Sequence, residues 1–261
     1  MKVVVKIGGA ALEEKSIGRS CAQAVAELAA DGHQVAVVHG GGATLTRVLL
    51  RMGKKSEFVN GLRVTDAETR DAAVMVLAGI INKALVAELV TIGQPAVGIC
   101  GGDGLTFLAR KKKSAATDLG FVGEICSVDL RWIQAIWSAG GVPVICSVAL
   151  GADGQYYNVN ADQMASACAI ACHADALIFL TDVGGVTDAN GAVIRWLPVQ
   201  QISGLVKDAV VAGGMLPKLD ACQEALRRGV GRVCIVPSLQ ARALQQFYFS
   251  KLECGTEVIS A

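Results

Sequence analysis

Charge is scarce in this chain. Of 261 residues, 18% are charged and 52% hydrophobic, a balance that excludes a disordered chain and calls for an extensive core. The charges also nearly cancel, with 24 Lys and Arg against 23 Asp and Glu. No basic excess is present to meet nucleic acid or an anionic membrane surface. Any C-x-x-C pair is missing too. Nine cysteines, at 21, 100, 126, 146, 168, 172, 222, 234 and 254, are an odd, scattered set. They read as buried free thiols in a reducing cytoplasm. Cys168, Cys172 and His173 lie close together but lack metal-ligand spacing.

The nucleotide fingerprints are absent as well. There is no P-loop Gly-x-x-x-x-Gly-Lys-Ser/Thr, and Leu45 takes the place of the last Rossmann glycine after Gly40 and Gly42. A Walker NTPase and a standard dehydrogenase are therefore not expected. Lys6 interrupts the first apolar run and Glu13 and Glu14 follow it, so no targeting segment is expected. The longest uncharged window, 132–152, has the length of a membrane span. Gly140, Gly141 and Pro143 divide it into a helix end, a turn and a buried strand.

What the chain does have is a repeated unit: an apolar β-branched run, a glycine turn, then helical spacing. Lys2-Val3-Val4-Val5-Lys6-Ile7-Gly8-Gly9 is the first, and Gln34-Val35-Ala36-Val37-Val38-His39-Gly40-Gly41-Gly42 the second. Such runs predict strands buried on both faces, joined by right-handed crossovers into a mainly parallel sheet of an α/β fold. Helices are predicted near 16–30, 43–52, 129–139, 161–172, 198–207 and 216–228. Further strands are predicted at 95–100, 142–148, 176–180, 232–236 and 255–259, with a short helix before the last. Asn60-Gly61 marks a hairpin over 57–64, and 105–124 reads as another with Arg110, Lys111, Lys112 and Lys113 on a solvated tip. One long helix, 66–90, capped by Thr65 or Asp66, is apolar nearly all round over 72–81. That pattern points to a homodimer interface. No linker separates the halves.

Several groups could carry chemistry. Lys6 would lie at the C-terminal end of the first strand, where an open parallel sheet presents its ligand crevice; the alternative is a lysine that snorkels to water. Gly8-Gly9, Gly40-Gly41-Gly42 and Gly184-Gly185 would expose backbone N–H groups at helix N-termini, where anions bind. In Asn158-Val159-Asn160-Ala161-Asp162, Asn160 reads as a helix cap with Asp162 favoured by the helix dipole; the functional alternative has Asn158 point its amide into the crevice while Asp162 holds lysines in place. A calcium loop beginning at Asp153 is rejected on its acidic spacing. In Gly213-Gly214-Met215-Leu216-Pro217-Lys218, Pro217 suits a first helical position. A lysine so near that helix start opposes the helix dipole unless an anion binds there. Arg63, just past the hairpin turn, offers a planar fork for a carboxylate or else lies on the surface.

These segments, with Gly61-Leu62-Arg63-Val64-Thr65 and Thr181-Asp182-Val183, occur in an order that resembles the acetylglutamate kinases, a branch of the amino acid kinase family, over essentially the whole chain. The resemblance implies a three-layer αβα sandwich of carbamate kinase-like type. It also implies transfer of the γ-phosphoryl of ATP to the side-chain carboxylate of N-acetyl-L-glutamate, the second step of arginine biosynthesis. By position, Lys6 and Lys218 would contact the transferring phosphoryl group and Asp162 would orient both. Gly41, Gly42, Arg63 and Asn158 would hold the acetylated amino acid. Gly8, Gly9, Asp182, Val183, Gly185, Val186, Gly213, Gly214 and Met215 would serve ATP, with Mg²⁺ carried mainly by the phosphates and no dedicated metal site. A lobe over 1–175 would bind the amino acid and dimerise, and a lobe over 176–261 would bind ATP. Arginine-inhibited members carry an extra N-terminal helix that links dimers into a hexamer. With the first strand starting at Lys2, the expectation is a cytoplasmic homodimer without arginine feedback. A kinase for carrier-protein-linked aminoadipate and a non-catalytic sensor of the same fold are the alternatives.

Overall fold

The computed structural model describes residues 1–113, 117–244 and 254–260. In chain order the elements are β1 (Lys2–Ile7), α1 (Gly9–Glu13), α2 (Lys15–Ala30), β2 (Gln34–His39), α3 (Gly42–Arg51), β3 (Phe58–Val59) and β4 (Leu62–Arg63). Then α4 (Ala67–Ala73) runs through a π-helical stretch (Val74–Ile81) into α5 (Asn82–Thr91). After it come β5 (Ala96–Ile99), β6 (Phe107–Lys111), β7 (Val122–Val128), α6 (Arg131–Ser138), β8 (Val142–Cys146), β9 (Val148–Gly151) and β10 (Tyr156–Val159). The second half holds α7 (Ala161–Cys172), β11 (Ala176–Thr181), β12 (Trp196–Pro198), α8 (Val199–Lys207), α9 (Met215–Arg227), β13 (Arg232–Pro237), a 3₁₀ segment (Ser238–Leu244) and β14 (Thr256–Ile259).

Eight strands form one sheet in the order β12-β14-β13-β11-β1-β2-β8-β5. Every neighbouring pair is parallel except β13 with β14. The β-branched runs explain this. Strand β1 buries Val4 toward α6, α7 and α9, and buries Val3 and Val5 toward α2 and α5, so both faces of the sheet are covered. This is the three-layer αβα sandwich. The strand order reverses at β1: β2, β8 and β5 extend from one side, β11 and the later strands from the other. The crevice at the C-terminal ends of β1, β2 and β11 is therefore the place for a ligand.

Strands β6, β7, β9 and β10 close into a small barrel beside the sheet. The sequence predicted its β6–β7 hairpin but not its closure. Arg110 and Lys112 share Glu124 and Lys111 pairs with Asp118, so two carboxylates offset part of the charge of the basic tip; residues 114–116 of that tip lie outside the described residues. Three other elements differ from expectation. The short α1 and the three-residue β12 were not predicted, and Pro217 stands third in α9 instead of first. Among the cysteines, Cys126 is exposed and Cys254 half-buried, not buried as expected.

The helix over Ala67–Thr91 is long and apolar enough to cross a membrane by length and composition. It starts where Asp66 accepts a hydrogen bond from the Thr69 N–H, one of the two caps predicted. One face, including Ala72, Val76, Leu77, Leu85 and Leu89, is buried in the cores, while Met75 and Ile80 are 56% and 58% exposed.

Candidate active site

Alternation along β1 puts Lys6 on the same face as Val4, toward α7. There its ammonium meets Oδ1 of Asp162, in the first turn of α7, at 2.9 Å. Lys6 is only 7% exposed, which excludes snorkelling to water. From α9, Lys218 donates to both oxygens of the same carboxylate, at 3.1 and 3.0 Å. Its ammonium also lies 5.4 Å from the ring centre of Phe179, the register neighbour of Lys6 on β11. Burial alone would raise the Asp162 carboxyl, but the two ammonium charges and their hydrogen bonds outweigh it and hold the group below its ordinary value. Burial pulls the Lys6 ammonium below the usual lysine range, against the pull of Asp162. Two cations share one carboxylate, so the cluster carries one buried positive charge in excess.

Next to it is a cavity of about 210 Å³ whose lining includes Lys6, Gly9, Gly41, Gly42, Arg63, Asn158 and Asp162. The glycines are needed for close approach. A Cβ on Gly9 would lie 3.2 Å from the Gly41 Cα, and one on Gly41 would lie 2.0 Å from Ile81 Cδ1 and 2.9 Å from Leu77 Cδ2. The first two glycine turns therefore abut, and the π-helical stretch presses against the second. Gly41 caps α3 with no side-chain acceptor, leaving the first-turn N–H groups of α3 for a ligand.

The β3–β4 hairpin turns on Asn60 and Gly61, both at positive φ (50° and 79°), the geometry of a tight two-residue turn. It delivers Arg63 inward. The guanidinium donates to the Gly42 carbonyl (2.9 Å), to Thr46 Oγ1 (2.8 Å) and to Ser56, and stacks 4.7 Å from the Phe58 ring. Asn158 Nδ2 donates to Thr65 Oγ1 at 3.3 Å. Asn160 is the cap of α7, accepting from the N–H groups of Asp162 and Gln163.

The nucleotide-side residues fall differently. Gly213 and Gly214 are exposed ahead of α9, whose first residue, Met215, is half-buried. The hairpin tip reaches this turn: a Cβ on Gly61 would sit 3.8 Å from the Gly213 carbonyl oxygen. Asp182 and Val183 are exposed beyond β11. Two of the glycine-turn expectations need correction. Gly184 and Gly185 do not lead into a helix, and the Gly8 N–H is donated to the Leu180 carbonyl at 2.9 Å instead of facing a ligand. Gly185, at φ 144°, leaves no room for a Cβ between Thr256 and Val193. Val186 is buried in the core with its N–H donated to Thr256 Oγ1. Glycine spacing alone cannot separate a packing glycine from a ligand glycine.

Sequence reading missed Leu77, Phe58 and Ser147, which also line the cavity. It also missed His39 and Asn82, which hold the second glycine turn from behind.

Residues 1–237 match the profile of the amino acid kinase family. An acetylglutamate kinase of Acidobacterium capsulatum is 60% identical over 261 residues, covering 100% of each chain. Among solved structures, the smu.665 protein of Streptococcus mutans superposes with a TM-score of 0.86 at 28% identity over 98% of each chain. The carbamate kinase of Giardia shares the fold, with a TM-score of 0.69 at 16% identity over 100% of this chain and 99% of its own. A glycine-turn cavity with a buried Lys6–Asp162–Lys218 cluster thus comes with full-length similarity to kinases of one kind, and the chain belongs to the amino acid kinase family, in its acetylglutamate kinase branch.

Proposed function

We propose that this chain transfers the γ-phosphoryl group of ATP to the side-chain carboxylate of N-acetyl-L-glutamate, giving N-acetyl-L-glutamyl 5-phosphate and ADP, the second step of arginine biosynthesis. The observation that carries the reading is the excess positive charge of Lys6 and Lys218 around Asp162, buried beside a cavity edged by helix N–H groups. A carboxylate nucleophile is already ionised at neutral pH and needs no general base. The difficulty is to bring one anion up to another and to stabilise charge spread over the transferring group, which fixed cations and N–H dipoles do. Lys6 from the β1 side and Lys218 from α9 would meet the phosphoryl oxygens, with Asp162 holding both in place. Arg63, Asn158 and the Gly41 and Gly42 turn would hold the acetylated amino acid.

ATP would lie on the opposite side, against the exposed Asp182–Val183 segment and the Gly213-Gly214-Met215 turn, so that residues 1–175 serve the amino acid and 176–261 the nucleotide. Both oxygens of Asp162 are engaged by lysines, and among the described residues no three His, Cys, Asp or Glu side chains converge on a metal position. Mg²⁺ would be carried mainly by the ATP phosphates, where it would supply further neutralisation.

The exposed apolar residues Met75 and Ile80 lie on one long helix. A larger apolar groove, about 810 Å³, runs along edge strand β5 with Val90, Val97 and Trp132 in its lining. These features support a homodimer whose second copy covers the helix and the open sheet edge. Free cysteines and a near-neutral surface fit a cytoplasmic enzyme. The carrier-linked alternative would need a basic surface, and Arg110 and Lys111 are already paired.

The test is ADP release from MgATP with N-acetyl-L-glutamate, L-glutamate or N-acetyl-L-aspartate, with hydroxylamine present to trap acyl phosphate. Hydroxamate with N-acetyl-L-glutamate alone is expected. No turnover despite ATP binding would overturn the reading in favour of a sensor or of the carrier-linked kinase.

A further inference from the structure

Behind the second glycine turn is a buried polar chain with no part in the chemistry described above. Asn82, the first residue of α5, is fully buried; its Nδ2 lies 2.9 Å from the Val144 carbonyl oxygen and 3.0 Å from Nε2 of His39. A carbonyl can only accept, so the Val144 contact fixes the amide with its nitrogen toward the ring, and Nε2 of His39 must accept. The single ring proton then sits on Nδ1, which donates to the Gly40 carbonyl at 2.9 Å. The other end of the amide is held as well, since Asn82 Oδ1 accepts from Lys83 Nζ at 3.3 Å. His39 is itself completely buried, which keeps the ring neutral.

Peptide planarity carries this arrangement into the cavity. In a trans peptide the C=O and the following N–H point in opposite directions. With the Gly40 oxygen held on the His39 side, the N–H of Gly41 is turned the other way, and Gly41 lines the cavity.

We propose that His39 and Asn82 are positioning residues for the phosphoryl transfer: a hydrogen-bond relay from β8 through Asn82 and His39 sets the peptide between Gly40 and Gly41 so that its N–H faces the acetylated amino acid. The proposal rests on the acetylglutamate kinase reading and extends it to two residues that touch no substrate. A purely structural pair would affect stability alone, whereas the relay makes activity depend on which ring nitrogen is replaced.

Asparagine at 39 puts an N–H near the place of Nδ1, and glutamine puts its amide near the place of Nε2. His39→Asn should keep kcat/KM for N-acetyl-L-glutamate within about threefold of the parent, while His39→Gln should lower it by about 100-fold, the cost of a catalytic donor misplaced by about 1 Å. KM for ATP should not change in either. Asn82→Ala frees the ring to take the other tautomer; it should act like His39→Gln in the parent and add nothing in the His39→Asn background. Equal kcat/KM in the Asn and Gln variants, or an additive effect of Asn82→Ala, would overturn the relay. Nitrogen-15 spectra of histidine-labelled parent protein need no substitution, and with three histidines the assignment is short. A His39 proton found on Nε2 would also overturn the proposal. Hydroxamate trapping on the parent runs alongside, so absence of turnover there would refute the reaction and not the relay.

Discussion

Lys6 and Asp162 meet at 2.9 Å across the face of the sheet, with both side chains less than one-tenth exposed. Lys218 brings a second ammonium to the other oxygen, so the excess cation is built into the folded protein before any ligand arrives. Groups fixed in this way stabilise a transition state without reorganisation. Lys218→Ala is expected to lower kcat about 100-fold, or roughly 3 kcal/mol of barrier, with KM for either substrate within a few-fold. Steady-state kinetics decide it: a change confined to KM would make Lys218 a binding residue.

Removing the carboxylate has a different consequence. Asp162→Asn leaves two buried ammonium groups with no counter-charge, a loss expected to cost about 3–5 kcal/mol of stability. Adding Lys218→Met should restore part of it, because one uncompensated charge is then removed. Urea unfolding of the single and double variants measures both effects. The pH dependence has a fixed sign. Because the lysines hold the Asp162 pKa below its unfolded value, its contribution is complete above the ordinary carboxylate range and is lost as pH falls through the folded value. Equal stability of the parent and Asp162→Asn at neutral pH would contradict this account.

Much of this architecture was legible because it depends on local rules. Strands β1, β2 and β11 are apolar runs that end where the sheet ends, and Asn60-Gly61 supplies the two positive φ values its turn demands. Lys6 and Lys218 stood out because each is a charge placed where local stability gives no reason for one, whereas Asp162 suits the first turn of α7 and was picked out by its segment, Asn158-Val159-Asn160-Ala161-Asp162. What stayed hidden depends on distant neighbours. Closure of β6, β7, β9 and β10 is a matter of register between separate segments, and β12 is three residues held by β14. Gly8 and Gly185 resembled ligand glycines until their neighbours Leu180, Thr256 and Val193 were in place. His39 and Asn82 look like ordinary residues of a strand and a helix, and only the packing of α5 on β2 and β8 makes them partners.

Assembly can be tested at the exposed face of the long helix. Ile80 is 58% exposed in the single chain, so Ile80→Glu meets no core and should leave the protomer folded. Placed in a dimer interface, the same carboxylate would be buried without a partner. Sedimentation is expected to show a dimer for the parent and a monomer for Ile80→Glu, with unchanged circular dichroism. A parent that sediments as a monomer, or an unaffected dimer in the variant, would remove this helix from the interface.

The His39 ring gives a pH signature separate from catalysis. Burial lowers its pKa from 6.5 to about 4, the Gly40 hydrogen bond opposing and the Lys6 charge adding to the shift. Between those values the unfolded chain binds the proton and the folded protein does not, so stability rises with pH across this window and levels off above it. Going down from pH 7 to 4 should therefore cost about 3 kcal/mol through this residue alone. Other carboxyl groups titrate near the lower limit, but they do so in both the parent and a His39→Asn variant. The difference in unfolding free energy between the two isolates the ring: it should favour the parent most at pH 7 and shrink steadily toward pH 4. Denaturant titrations at half-unit pH steps measure this difference. A constant difference would mean that the ring takes up its proton in the folded state as readily as in the unfolded one, which a neutral His39 donating to Gly40 and accepting from Asn82 does not allow.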